Sequence, residues 1–104
     1  MASATKPVLT LVTYRAKKGS EEQLAGVLRT QVARLREMGL IADRPHFVAE
    51  RTDEPGIFVE SYSWLHRGAI DQARDNSEVQ EIWMRLEDLC QPAGIERIEL
   101  QPLD

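Results

Sequence analysis

Four alternate positions in FVESYSW, Phe58, Glu60, Tyr62 and Trp64, set a carboxylate among three rings on one side of an extended segment. A buried Glu60 must either pair with a cation, with Arg15, Arg51 and Arg97 the nearest strand candidates, or titrate closer to neutrality. In the second case it can serve as a general base toward an acidic C–H or a phenol. Tyr62 and Trp64 offer flat apolar walls with polar tips that can orient an aromatic guest. Tyr14 and Phe58 are placed to complete such a site, and Trp83, on a helix farther along, to close it. Each ring can equally be plain core. Glu60 separates the two readings, because packing alone does not explain a carboxylate there.

Other chemistries find little support. His46 and His66 lie far apart, no HExxH or HxH spacing occurs, and Cys90 is the single cysteine, so neither a metal site nor a disulfide framework is expected. Cys90 falls at an apolar-periodic position at a helix end, which points to buried packing. His66 stands where a strand hands over to a helix, a surface or capping position, and His46 is expected to be exposed. No serine sits in a G-x-S-x-G elbow and no glycine-rich phosphate cradle is present. The net charge of −4 and pI of about 5.2 argue against binding to nucleic acid. Arg29, Arg34 and Arg36 gather near a helix C-terminus, where they favour the helix dipole. No apolar run approaches the roughly 20 residues of a membrane span. MASATKPVL is too short and polar for a secretory signal, and a cytoplasmic protein without membrane contact is expected.

The elements that must position these residues follow from periodicity. At 104 residues the chain reads as one domain with its core over about residues 8 to 101. PVLTLVTYRA is a strand whose two faces are both apolar near its start, as suits a central strand. Ser20-Glu21-Glu22-Gln23 has the form of a capping box opening a helix over 20–38, and Gly39 stands where a left-handed residue ends it. Gly26, inside that helix, implies close packing on the sheet or room for a ligand. HFVAER and GIFVESYSWL, joined by TDEPG, form an antiparallel hairpin. HRGAIDQARDN is a short helix or turn. Ser77-Glu78-Val79-Gln80 reads as a second capping box before the stripe Val79, Ile82, Trp83, Leu86 and Leu89; Pro92 and Gly94 end that helix, and IERIELQ is the last strand.

The order β-α-β-β-α-β is a ferredoxin-like α+β fold with both main helices on one face of a four-stranded antiparallel sheet. Ile57, Val59 and Leu65 lie opposite the Glu60 set, so the second face is apolar too. A second copy is expected to cover it, giving a homodimer through the sheet face. The Glu60 face then becomes the floor of a small-molecule cavity beneath the helices. A one-residue slip would exchange the two faces.

The segments GSEEQLAGVL, RTDEPGIFVESYSW and LHRGAIDQARDNSEVQEIW together resemble the antibiotic biosynthesis monooxygenase (ABM) domain, over roughly residues 8 to 90. The resemblance implies a dimeric α+β barrel in which two such sheets face each other. It implies a catalytic class that oxidises phenolic or anthrone-type polyketides with dioxygen and with neither metal nor flavin as cofactor. Trp64 matches the family's strand-end tryptophan, which lines the pocket in many relatives. Two departures narrow the expectation. Ala73-Arg74-Asp75 replaces the histidine that many relatives carry before the Ser-led helix. The Asn and His pair of haem-degrading relatives is absent, so haem degradation is not expected. The expectation is a cofactor-independent monooxygenase with Glu60, Tyr62 and Trp64 as catalytic residues and Tyr14, Phe58 and Trp83 as substrate-binding ones. The alternatives are a ligand-binding or interaction module of the same fold, or an isomerase of a small metabolite.

Overall fold

The computed structural model describes residues 6–103. Seven elements follow one another: β1 (Val8–Ala16), α1 (Glu21–Glu37), β2 (Phe47–Glu50), β3 (Ile57–Trp64), α2 (Arg67–Arg74), α3 (Ser77–Leu89) and β4 (Cys90–Leu100). The strands form one antiparallel sheet in the order β2-β3-β1-β4, the ferredoxin-like arrangement expected from the sequence. Strict alternation along β1 buries Val8, Thr10, Val12, Tyr14 and Ala16 beneath the helices. The register pairs Val12 with Glu60, Tyr14 with Phe58, Thr10 with Tyr62 and Val8 with Trp64, so the Glu60 set shares that covered face.

Two apolar clusters fill the space between sheet and helices. One gathers Val8, Leu35, Tyr62 and Trp64 with α2 and the start of α3; the other gathers Val12, Tyr14, Leu28, Phe58 and Leu86. Glu60 falls at the seam between them, and Trp83 packs against both. The opposite face carries Leu9, Leu11 and Val59, half-buried, and Phe47, Ile98 and Leu100, exposed. Leu65, assigned to that face by alternation, lies just past the end of β3 and is exposed.

Both capping expectations need correction. Ser20 makes no side-chain bond to its helix; its ψ of 5° is outside the extended region in which a cap hydroxyl meets the first-turn amides, and Glu21 accepts from the Gly19 N–H at 2.9 Å instead. At α3 the cap is Asn76, whose extended backbone lets Oδ1 accept from Glu78 and Val79, while Gln80 donates to the Arg74 carbonyl. His66 caps α2, its Nδ1 accepting from the Ala69 N–H at 3.2 Å, and Gly39 ends α1 with φ +74°.

The end of α3 also differs. The helix stops at Leu89, before Pro92 and Gly94, and β4 begins at once with Cys90. Cys90 pairs with Ala16 and Ile95 with Tyr14, so four residues bulge out opposite Arg15. Ala93 there adopts φ +54°, and a Cβ on Gly94 would stand 2.7 Å from the Gln91 carbonyl, which requires glycine. Gly26, by contrast, faces open space: a Cβ there would meet nothing within 4 Å, so close packing does not explain it.

Candidate functional site

β1, β3, α1 and α3 each send one polar side chain to a common point. The Tyr14 hydroxyl donates to Glu60 Oε1 at 2.6 Å. Gln31, from α1, donates through Nε2 to both Glu60 oxygens at 2.9 Å. Its Oε1 accepts from the Trp83 indole N–H at 3.2 Å. The result is a directed chain, Trp83 to Gln31 to Glu60, with Tyr14 on the other carboxylate edge. Because indole can only donate, it holds the Gln31 amide with nitrogen toward Glu60.

Glu60 is fully buried and none of the three candidate arginines neutralises it. Arg15 pairs with Glu54, and Arg51 with Asp53 and Glu54, all at the surface. Arg97 instead stands over the outer face of the Trp83 ring, 5.3 Å from its centroid. Loss of hydration pushes the Glu60 carboxyl up to about 7; the Tyr14 and Gln31 hydrogen bonds and the more distant Arg97 charge pull in the other direction without cancelling it. Burial drives the Tyr14 phenol far above its usual value, with the Glu60 charge adding to the effect. The Tyr62 phenol is raised as well, again chiefly by burial and then by Glu60. Its hydroxyl has no hydrogen-bond partner among the described residues. Cys90 is buried and its thiol is pushed up by desolvation.

The rings surround this cluster. Tyr62 meets Trp64 edge-on at 5.4 Å, and Trp64 meets Trp83 at 6.4 Å and 89°. Tyr14, Glu60, Tyr62 and Trp64 are each 2% exposed or less, so they fill the space beneath the helices where a cavity was expected. The open volume lies one layer out. A groove of about 470 Å³ runs between α3 and the bulged start of β4, lined by Trp83, Leu86, Cys90, Ile95, Arg97 and Lys17, among others. Trp83 and Arg97 stand between it and the buried chain. Phe58 belongs elsewhere: it borders a second groove of about 580 Å³ with Ala25, Arg29 and Glu50. Of the other five sequence-derived candidates, Tyr14 bonds Glu60 directly, Trp83 reaches it through Gln31, and Tyr62 and Trp64 join Trp83 by ring contacts, while Phe58 shares the covered face but borders the second groove.

Sequence reasoning missed Gln31 and the place of Arg97 on Trp83. Gln31 had a legible signal, since it falls seven residues after Leu24 and three after Leu28, on the apolar stripe of α1 where a polar residue is out of place. Among the described residues no three His, Cys, Asp or Glu side chains converge in a way that could hold a metal ion. No described helix is long and apolar enough to cross a membrane.

No protein-family model and no curated protein matches the chain. Solved structures do. SnoaB, a cofactor-independent oxygenase from Streptomyces nogalater, superposes with a TM-score of 0.79 at 13% identity, covering 95% of each chain. A putative antibiotic biosynthesis monooxygenase from Chloroflexus aurantiacus gives 0.74 at 17% identity, again over 95% of each chain. The chain has the ABM fold. Rv0793 from Mycobacterium tuberculosis shares it too, at TM-score 0.77 and 20% identity over 95% of this chain and 97% of that one. At such identities the ABM likeness is one of fold, and chemistry must be argued from the residues around Glu60.

Proposed function

We propose that this chain is a cofactor-independent monooxygenase that acts on an aromatic, phenolic or quinol-like small molecule, with Glu60 as its base. One observation carries the proposal: a fully buried carboxyl with no ion-pair partner among the described residues, oriented by Tyr14 and Gln31 and poised near pH 7. A base of that kind takes a proton from an activated methylene of an electron-rich ring system. The carbanion passes one electron to dioxygen, the two radicals couple through a new C–O bond, and the peroxide takes back the proton. Cleavage of the O–O bond with loss of water leaves a ketone. One methylene and one dioxygen thus become one carbonyl and one water, with the substrate supplying all the electrons. The Tyr62 hydroxyl, buried without a partner among the described residues, is the free donor for the developing oxyanion. Trp64 packs on the ring system, and Trp83 stands at its entrance from the groove. SnoaB, of the same fold, is a cofactor-independent oxygenase.

The outer sheet face completes the reading. Leu9, Leu11, Val59, Phe47, Ile98 and Leu100 form an apolar surface on the side without helices, and a second copy of this chain is its natural cover. The decisive experiment is oxygen uptake with a panel of anthrones and quinols. One dioxygen consumed per ketone formed, lost in Glu60→Gln, supports the proposal; unchanged turnover in that variant removes Glu60 as base.

The full burial of Glu60, Tyr62 and Trp64 favours a second reading, a non-catalytic module that holds a ligand in the Trp83 groove. In that case ligand is recovered unchanged and no oxygen is consumed. An isomerase of a small polar metabolite fits less well, because rings rather than polar groups pack on the Glu60 side of Trp83.

A further inference from the structure

Trp83 and Arg97 stand between the open groove and the hydrogen-bond chain that runs through Gln31 to Glu60. The Trp83 ring is half-buried, Arg97 lies over the groove side, Trp64 meets it edge-on from within, and its N–H is bonded to Gln31 Oε1. Any molecule that reaches Glu60 from this groove must move the indole. Doing so leaves Gln31 Oε1 as an acceptor without a donor. That amide cannot relieve the loss by rotating, because both oxygens of Glu60 hold its Nε2. Gln31 is itself buried, so water does not readily compensate it.

We infer that Trp83 is a displaceable plug and that the groove selects aromatic ligands bearing a hydroxyl donor, which takes over the indole's bond to Gln31 Oε1. The ligand replaces both halves of what it displaces: its ring occupies the place between Trp64 and Arg97, and its O–H occupies the place of the indole N–H. Arg97 supplies the same cation–ring contact to the newcomer that it gives Trp83. An ether of the same shape satisfies the ring contacts and leaves Gln31 unpaired, so it is discriminated against. The anchoring hydroxyl keeps its proton; the proton that Glu60 removes belongs to another position of the ring system. This inference rests on the oxygenase reading only for that last step, since the selection itself is a matter of binding.

The test uses 1-naphthol and 1-methoxynaphthalene, titrated calorimetrically without oxygen into the full chain and into Trp83→Phe and Gln31→Met. The unmodified chain is expected to prefer the naphthol by roughly ten- to hundredfold, the range for a buried acceptor left unpaired. Trp83→Phe keeps a ring and loses the N–H, so naphthol binding is expected to tighten by roughly tenfold while the ether changes far less. In Gln31→Met the preference should fall close to one. Equal affinities for naphthol and ether in the unmodified chain overturn the inference, as does a preference that survives Gln31→Met. If Gln31→Met does not fold, as judged by circular dichroism, the Trp83→Phe arm decides alone: no selective gain for naphthol overturns it. Oxygen uptake is measured separately. Hydroxyl selection without uptake overturns the oxygenase reading and leaves the plug intact; uptake without hydroxyl selection does the reverse.

Discussion

The two faces of the one sheet solve opposite problems. Beneath the helices, Glu60 is a polar group with no access to water, and three side chains from three other elements surround it with a directed hydrogen-bond chain. On the outer face, Leu11, Ile98 and their neighbours are apolar groups with too much access to water. The Glu60 carboxyl is satisfied within the chain, whereas the Tyr62 hydroxyl beside it is left without a partner among the described residues; for the outer face the proposed answer is a second copy. A domain built only for stability would place an apolar side chain at position 60, since replacing a buried charge by a well-packed hydrophobe is often neutral or better. That Glu60 is present, oriented and without an ion-pair partner among the described residues is the physical reason for proposing that function lies on the inner face, which leaves the outer face as the proposed seam.

Each face can be made to fail alone. Glu60→Gln should lower turnover by roughly 10²- to 10⁴-fold, the usual span of a general base, while self-association measured by sedimentation stays unchanged. Leu11→Glu should do the converse, weakening self-association by roughly thirtyfold or more as a charge enters the seam. A Leu11→Glu chain that still dimerises places the seam elsewhere.

Smaller effects separate the contributions within the inner face. Glu60 has a raised folded pKa, so below about pH 4.5 both folded and unfolded states hold its proton and it costs nothing. Between there and about pH 7 only the folded carboxyl stays protonated, and stability falls as pH rises. Above about 7 the full penalty, on the order of 3 kcal/mol, is present. Urea denaturation across that window should show the decline, and Glu60→Gln should flatten it. Gln31→Leu should destabilise the fold by about 1–3 kcal/mol, because it strips bonds from both Glu60 and Trp83. The two helix starts give the smallest contrast: Asn76→Ala should cost about 1 kcal/mol, and Ser20→Ala about 0.5 kcal/mol or less. Equal losses at the two positions would restore Ser20 as a working cap.

Much of this was legible in the sequence, for identifiable reasons. Alternation in FVESYSW put Glu60, Tyr62 and Trp64 on one face, but which face the helices cover was left open by the pattern and is decided by the register of β3 on β1. Capping was less readable, because Ser20 and Asn76 differ in backbone angle rather than in residue type alone. The start of β4 was hidden by Pro92 and Gly94, which read as helix terminators but serve a bulge after the strand has begun. The partner of Glu60 was beyond strand-based reasoning altogether. Arginines on neighbouring strands were the natural candidates, whereas the groups that hold it include Gln31, brought from a helix 29 residues earlier by tertiary packing. The open groove was equally hidden, since it exists only where the β4 bulge meets α3.

The chemistry proposed for the inner face turns on the protonation of one carboxyl, and the most direct measurement reads it. Infrared difference spectra of the protonated carboxyl stretch, recorded from pH 4 to 9 on the unmodified chain and on Glu60→Gln, isolate the Glu60 band. The expected result is a protonated carboxyl that persists above the ordinary glutamate range and is lost around pH 7, with no such band in the variant. A Glu60 that loses its proton near the ordinary value of 4.5 would contradict it, because a carboxylate so well compensated has no drive to act as a base near neutral pH.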